Sequence, residues 1–172
     1  MYLPRPTPDP IEPGQESVWS YPRPPRLERV SKELKIELAG TVIAWTTRGF
    51  RVLETSHPPV YFFPPNDVNA NAVIPSEHAP SFCEFKGLCH YLDVHLLTGE
   101  REVSAPASAF TYPSPTSGFE DIAGYVSFYA GPMDRCSVDG VEVTPQPGGF
   151  YSGWITPDIV GPFKGYAGSM GW

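Results

Sequence analysis

The stretch "LKIELAGTVIAW", residues 34–45, decides the fold class. Leu34, Ile36 and Leu38 alternate with Lys35 and Glu37, the two-residue period of a strand with one buried face. Ala39-Gly40 then offers a tight turn into a second apolar run ending at Trp45. The same grammar recurs on both sides. "FRVLE" (50–54) continues the sheet, "CHYLDVHL" (89–96) alternates, and "TGERE" (98–102) reads as a hairpin tip. "CSVDGVEV" (136–143) is the clearest hairpin, because Asp139-Gly140 suits a type I′ turn, in which both positions need positive φ. "PPVYFFPP" (58–65) is an apolar run between proline pairs, expected as a short edge strand since proline cannot donate to a ladder. One helix of about two turns is predicted from Ser117-x-x-Glu120, a capping-box spacing, with Gly124 as its stop. "YVSFY" (125–129) follows as a strand that closes a mostly antiparallel meander.

Composition supports this. The 172 residues include 22 Pro and 16 Gly, which disfavour helix and favour shaped loops. Charged residues make up 18%, below the roughly 25% of ordinary soluble domains. The expected fold is mainly β: a compact single domain of short, mostly antiparallel strands with long Pro/Gly-rich loops, one short helix and an extended N-terminal arm. Residues 1–25 hold eight prolines and form that arm, expected to lie outside any sheet and to be anchored by Trp19 on its own domain or on a partner; residues 26–172 form the domain.

The net charge of -7 argues against an extended nucleic-acid surface, which needs many lysines and arginines. It leaves room for one small anion in a local pocket. Three cysteines cannot pair completely, no charged-then-apolar leader opens the chain, and no run nears the roughly 20 apolar residues of a membrane span. A reduced, cytoplasmic, membrane-free setting is expected.

Chemistry-bearing residues cluster in three places. "VLETSHPPVYF" brings Glu54, His57 and Tyr61 together on an inter-strand loop, with Glu54 and His57 as acid–base candidates and Tyr61 as a hydrogen-bonding wall. "SFCEFKG" offers Cys83 as a candidate nucleophile and Lys86 as an anion anchor held between aromatics. "GGFYSGWITPDIVGPFKG" (148–165) joins permissive glycines and stiffening prolines to Tyr151, Trp154, Asp158 and Lys164. It reads as the wall of a pocket, with Tyr151 and Trp154 as stacking faces, Lys164 as anion binder and Asp158 as carboxylate. Phe-Lys-Gly occurs at 85–87 and again at 163–165, either two copies of one structural idea or a chance similarity, since the flanks do not align further. No zinc-knuckle spacing is present; Cys83-x5-Cys89 is too wide, and Cys89 and His90 point to opposite faces of a strand.

In order along the chain, "RPPRLE", "RVLETSHPPVYFFPPNDV", "FCEFKG", "GYVSFY", "DGVEVTPQPGGFYSGWITPDIVGPFKG" and "GSMGW" resemble the family known as domain of unknown function 427, from about Arg23 to Trp172. The resemblance implies a compact β-rich fold and a nucleotidyltransferase-like label. Nucleotidyl transfer ordinarily needs paired carboxylates holding two metal ions, yet no Asp-x-Asp occurs. Dispersed Glu54, Asp67 and Asp158 would have to converge. "GPFKG" lacks the Gly-Lys-Ser/Thr order of a P-loop, and "GYAGSMG" is not the dinucleotide fingerprint.

The reading is a binding module in which Lys86 and Lys164 face a small anionic molecule of the nucleotide or sugar phosphate class. An enzyme using the same pocket, nucleotidyltransferase-like or otherwise, is the first alternative; a structural or oligomeric protein, with homo-oligomers joined through the N-terminal arm, is the second. No cofactor is specified, and no metal ligands are assigned.

Overall fold

Leu34–Leu38 and Thr41–Thr46 form the expected hairpin in the computed structural model, which describes residues 1–172. Ala39 and Gly40 both take positive φ, +50° and +73°, as a type I′ turn demands. The register slips between Ile36 and Glu37, so Ile43 and Ala44 both turn inward. One extra residue in a strand resets which face the following side chains occupy.

Arg135–Val138 adds to the other edge of this hairpin, and its own turn, Asp139 at +47° and Gly140 at +77°, returns the chain into Val141–Glu142. Arg135–Val138 thus pairs with a strand far back in sequence, so the topology is not the simple meander expected from order alone. No local pattern encodes that pairing. Gly87–Thr98 and Arg101–Thr111 make a long antiparallel pair joined through Gly99-Glu100, with Val126–Phe128, Val73–Pro75 and Ser81–Cys83 completing a second sheet. The register between Ala105 and Ala109 is broken at Pro106, which has no amide to give; Asp93 Oδ1 takes the Ala107 N–H at 2.7 Å instead.

Val60–Phe62 lies at the edge of a third sheet, after Arg26–Val30 and Gly49–Leu53. The next residue, Phe63, bridges to Val126 and stitches this edge to the second sheet. The main core fills the space between the sheets around Leu34, Ile36, Ile43, Phe63, Phe128 and Trp154, all essentially sealed from solvent.

Two expectations need correction. The region 117–124 contains a single 3-10 turn, Glu120–Ile122, rather than a helix of about two turns; Ser117 is not its cap, and Glu120 Oε2 accepts from the Gly118 N–H at 2.8 Å. So short a segment between glycines closes one turn without paying for a helical nucleus. The N-terminal arm is also not wholly outside sheet structure, since Glu16–Ser17 pairs in parallel with Ile159–Val160. That section, 14–21, is free of proline and keeps its amide donors. The arm runs along its own chain: the Leu3 and Asp9 amides donate to Gly168 and Gly161, and Trp19 Nε1 donates to the Pro162 carbonyl at 2.9 Å. Val18, Trp19 and Tyr21 join Leu53 and Ile159 in a small core of their own.

Candidate functional site

The 148–165 stretch folds back against the Ser56-His57 turn, and the anchor is a residue the sequence reading overlooked. Gln146, between Pro145 and Pro147, is buried and uses both ends of its amide. Its Oε1 accepts the Gly153 N–H at 3.0 Å, while Nε2 donates to the Lys164 carbonyl at 2.9 Å and faces His57 Nδ1 at 3.0 Å. An amide hydrogen and a carbonyl fix which end of Gln146 is oxygen and which is nitrogen, so His57 Nδ1 must be the acceptor. The His57 proton therefore sits on Nε2, which points toward Glu54 Oε2 at 3.6 Å. Burial pushes the His57 pKa down to about 3, helped by the positive charges of Lys164, Arg23 and Lys86. His57 is neutral at physiological pH, and its basic nitrogen is already occupied.

Lys164 is set by the same hub. Its N–H donates to the Ser56 carbonyl at 2.9 Å, and the chain then turns at Gly165. Gly165 (φ +138°) and Gly148 (φ +86°) lie so close that a Cβ on either would overlap a carbonyl of the facing segment. This backbone contact holds the Lys164 turn against the 146–152 loop. The Lys164 ammonium lies 5.5 Å from the Tyr151 ring centre and 3.4 Å from the Trp172 carbonyl oxygen, and burial lowers its pKa.

Lys86 comes from the other side. Its carbonyl accepts from the Thr116 N–H, and the Thr116 hydroxyl donates to the Phe85 carbonyl, pinning the turn before Gly87 (φ +102°). Lys86 as a whole residue is 9% exposed; its ammonium lies over the Tyr112 ring at 5.4 Å and has neither a hydrogen-bond acceptor nor an acid within ion-pair distance. The stem is covered while the ammonium faces the cavity, the arrangement of a cation placed to meet an anion there.

Both lysines line one cavity of about 600 Å³. It opens between the ends of the third sheet and the Ser81–Cys83 edge, under the 146–152 loop. The structure brings Glu54, His57, Cys83, Lys86, Tyr151 and Lys164 to its wall. It does not bring Tyr61, Trp154 or Asp158. Tyr61 and Trp154 pack on each other in the main core, ring centres 5.3 Å apart, with Trp154 Nε1 donating to the Phe128 carbonyl. Asp158 lies with Thr156 and Lys32, away from the cavity. Burial wins over placement here: strand and loop residues with large apolar rings are drawn to the core. Besides Gln146, the sequence reading missed Tyr91, Tyr112 and Tyr129. Tyr91 lies within a strand and Tyr112 and Tyr129 directly follow strand ends, and nothing local distinguished core from cavity there.

Cys83 is half-buried on the cavity wall, and no histidine or lysine hydrogen-bonds its thiol. The dispersed carboxylates do not converge: Glu54 pairs with Arg23, Asp67 with Arg48 and Asp158 with Lys32. No group of three or more His, Cys, Asp and Glu side chains is placed to hold a metal ion, so the side chains present do not fit a two-metal nucleotidyl-transfer site.

A family profile described as Domain of unknown function (DUF427) matches residues 26–139. The chain belongs to the DUF427 family. The match holds Glu54, His57, Cys83 and Lys86 of the cavity and ends before Gln146 and Lys164. No curated protein matches the chain. No helix of this DUF427 protein is long and apolar enough to cross a membrane.

Proposed function

We propose that this DUF427 protein is a binding module for a small anionic molecule of the nucleotide or sugar phosphate class, taken up in the cavity between Lys86 and Lys164. The observation that carries the reading is the unpartnered ammonium of Lys86, a residue only 9% exposed overall, at the cavity wall. A phosphate or carboxylate supplies the missing counter-charge, and the second lysine adds to the field; of the two acids on the wall, Glu54 is paired with Arg23 and Glu84 is exposed to solvent. The neutral His57 contributes an N–H donor and no charge.

A thermal-shift screen with phosphate, pyrophosphate, nucleotides and sugar phosphates tests the reading. Ligand at about 100 times its Kd stabilises by about 2.7 kcal/mol, a rise in Tm of roughly 5–10 °C for a domain of this size. Lys86→Ala and Lys164→Ala are expected to abolish the rise. If no anion shifts the wild type, the reading fails.

Catalysis in the same cavity is the second reading. Glu54 beside the Nε2–H of His57 favours it, as a carboxylate at the wall of a partly dry pocket is a natural acid–base group. Consumption of a binding ligand, lost in Glu54→Gln with binding retained, distinguishes it.

A further inference from the structure

A second cavity, of about 910 Å³, adjoins the first, and the two share wall residues including Tyr91, Tyr129, Gln146, Phe150 and Tyr151. Its character differs. No Asp, Glu, Lys or Arg lines it; the wall is made of rings, prolines and the Gly148-Gly149 backbone, with Gln146, Ser152 and His78 as its polar side chains. Phe150 stands at the border with its side chain largely in solvent, 70% exposed, although its carbonyl is held by the Tyr129 hydroxyl at 3.1 Å. A large ring left open between two cavities is an unfilled stacking face.

We infer that the two cavities form one site for a two-part ligand: an anionic head group between Lys86 and Lys164, joined to an uncharged planar ring system lying in the neutral cavity against Phe150. The inference rests on the anion-pocket reading and adds what the rest of the ligand must be. A sugar is the poorer occupant of this half, because its hydroxyls need many side-chain partners and the Tyr91 and Tyr129 hydroxyls are already engaged by Ser81 and the Phe150 carbonyl, leaving chiefly Ser152 and the Tyr151 hydroxyl. The amide-bearing side chain there, Gln146, already spends its oxygen and nitrogen on Gly153, Lys164 and His57. A plain alkyl chain is equally poor, since it would cover the peptide groups of 147–149 and the Tyr129 edge without meeting them. A flat ring with a few acceptors and donors at its rim stacks on Phe150 and still reaches that backbone.

Calorimetric titration of the full chain with matched probes tests the inference: inorganic phosphate against phenyl phosphate, and pyrophosphate against ADP and UDP. At least one ring-bearing probe is expected to bind ten-fold or more tightly than its ringless counterpart. Phe150→Ala should remove that advantage and weaken the ring-bearing probe far more than the ringless anion, whose cavity Phe150 also borders, and Lys86→Met should weaken both members of the pair. Equal affinity of every ring-bearing probe and its counterpart, or a Phe150→Ala variant that weakens both alike, overturns the two-part ligand and leaves the anion pocket standing. Failure of all the anions to bind overturns both.

Discussion

His57 makes the hub behind the cavity sensitive to acid, and the size of the effect follows from its surroundings. The unfolded chain takes up a proton at a His pKa near 6.5, whereas the folded chain holds off until about 3, because burial and the charges of Lys164, Arg23 and Lys86 oppose it. Between those values the unfolded state binds more protons, so stability rises with pH and is lost as pH falls below 6.5. At about 1.4 kcal/mol per pH unit, the 2.5 units from 6.5 down to 4 amount to roughly 3 kcal/mol. His57→Asn isolates this, because Asn keeps an acceptor near Gln146 Nε2 but does not titrate. Urea unfolding of both proteins at pH 7, 6, 5 and 4 gives the difference in stability free of carboxylate titrations common to the two. The wild type should lose roughly 3 kcal/mol relative to the variant across that range. A difference that stays constant with pH, or a His57 ring resonance titrating near 6.5, refutes the assigned tautomer and its burial.

Three further outcomes follow from the same geometry. Trp154→Ala removes a 1% exposed ring packed on Tyr61 and Phe63 and should cost about 3–5 kcal/mol in chemical denaturation, with under about 1 kcal/mol contradicting its place in the core. Gln146→Leu strands the Gly153 amide, the Lys164 carbonyl and His57 Nδ1 together, and should cost about 2–4 kcal/mol by the same measurement, less if cavity water reaches His57. Gly165→Ala introduces a Cβ into the Pro147 carbonyl at a φ of +138°; a loss of more than about 2 kcal/mol is expected, with loss of anion-induced thermal protection because Lys164 is displaced. An anion response unchanged in Gly165→Ala would mean that the turn does not position the lysine.

What the sequence determined by itself is what is encoded within a few residues. Alternation at 34–38 and 89–96, and the Ala39-Gly40 and Asp139-Gly140 turns, are local steric and hydrophobic facts, so the β class and the hairpins were legible. The repeated Phe-Lys-Gly was legible as well, since each lysine needs a following glycine with positive φ to turn the chain beside it. The tertiary structure alone decided which strand pairs with Leu34–Leu38, which aromatics are core and which face a cavity, and that Lys86 and Lys164 line the same cavity. Tyr61 and Tyr151 look alike in sequence, yet one is sealed beside Trp154 and the other walls the pocket. Pairing and burial are set by contacts between residues far apart in the chain, whose free energies depend on the whole packed arrangement and leave no mark on the local pattern of either partner.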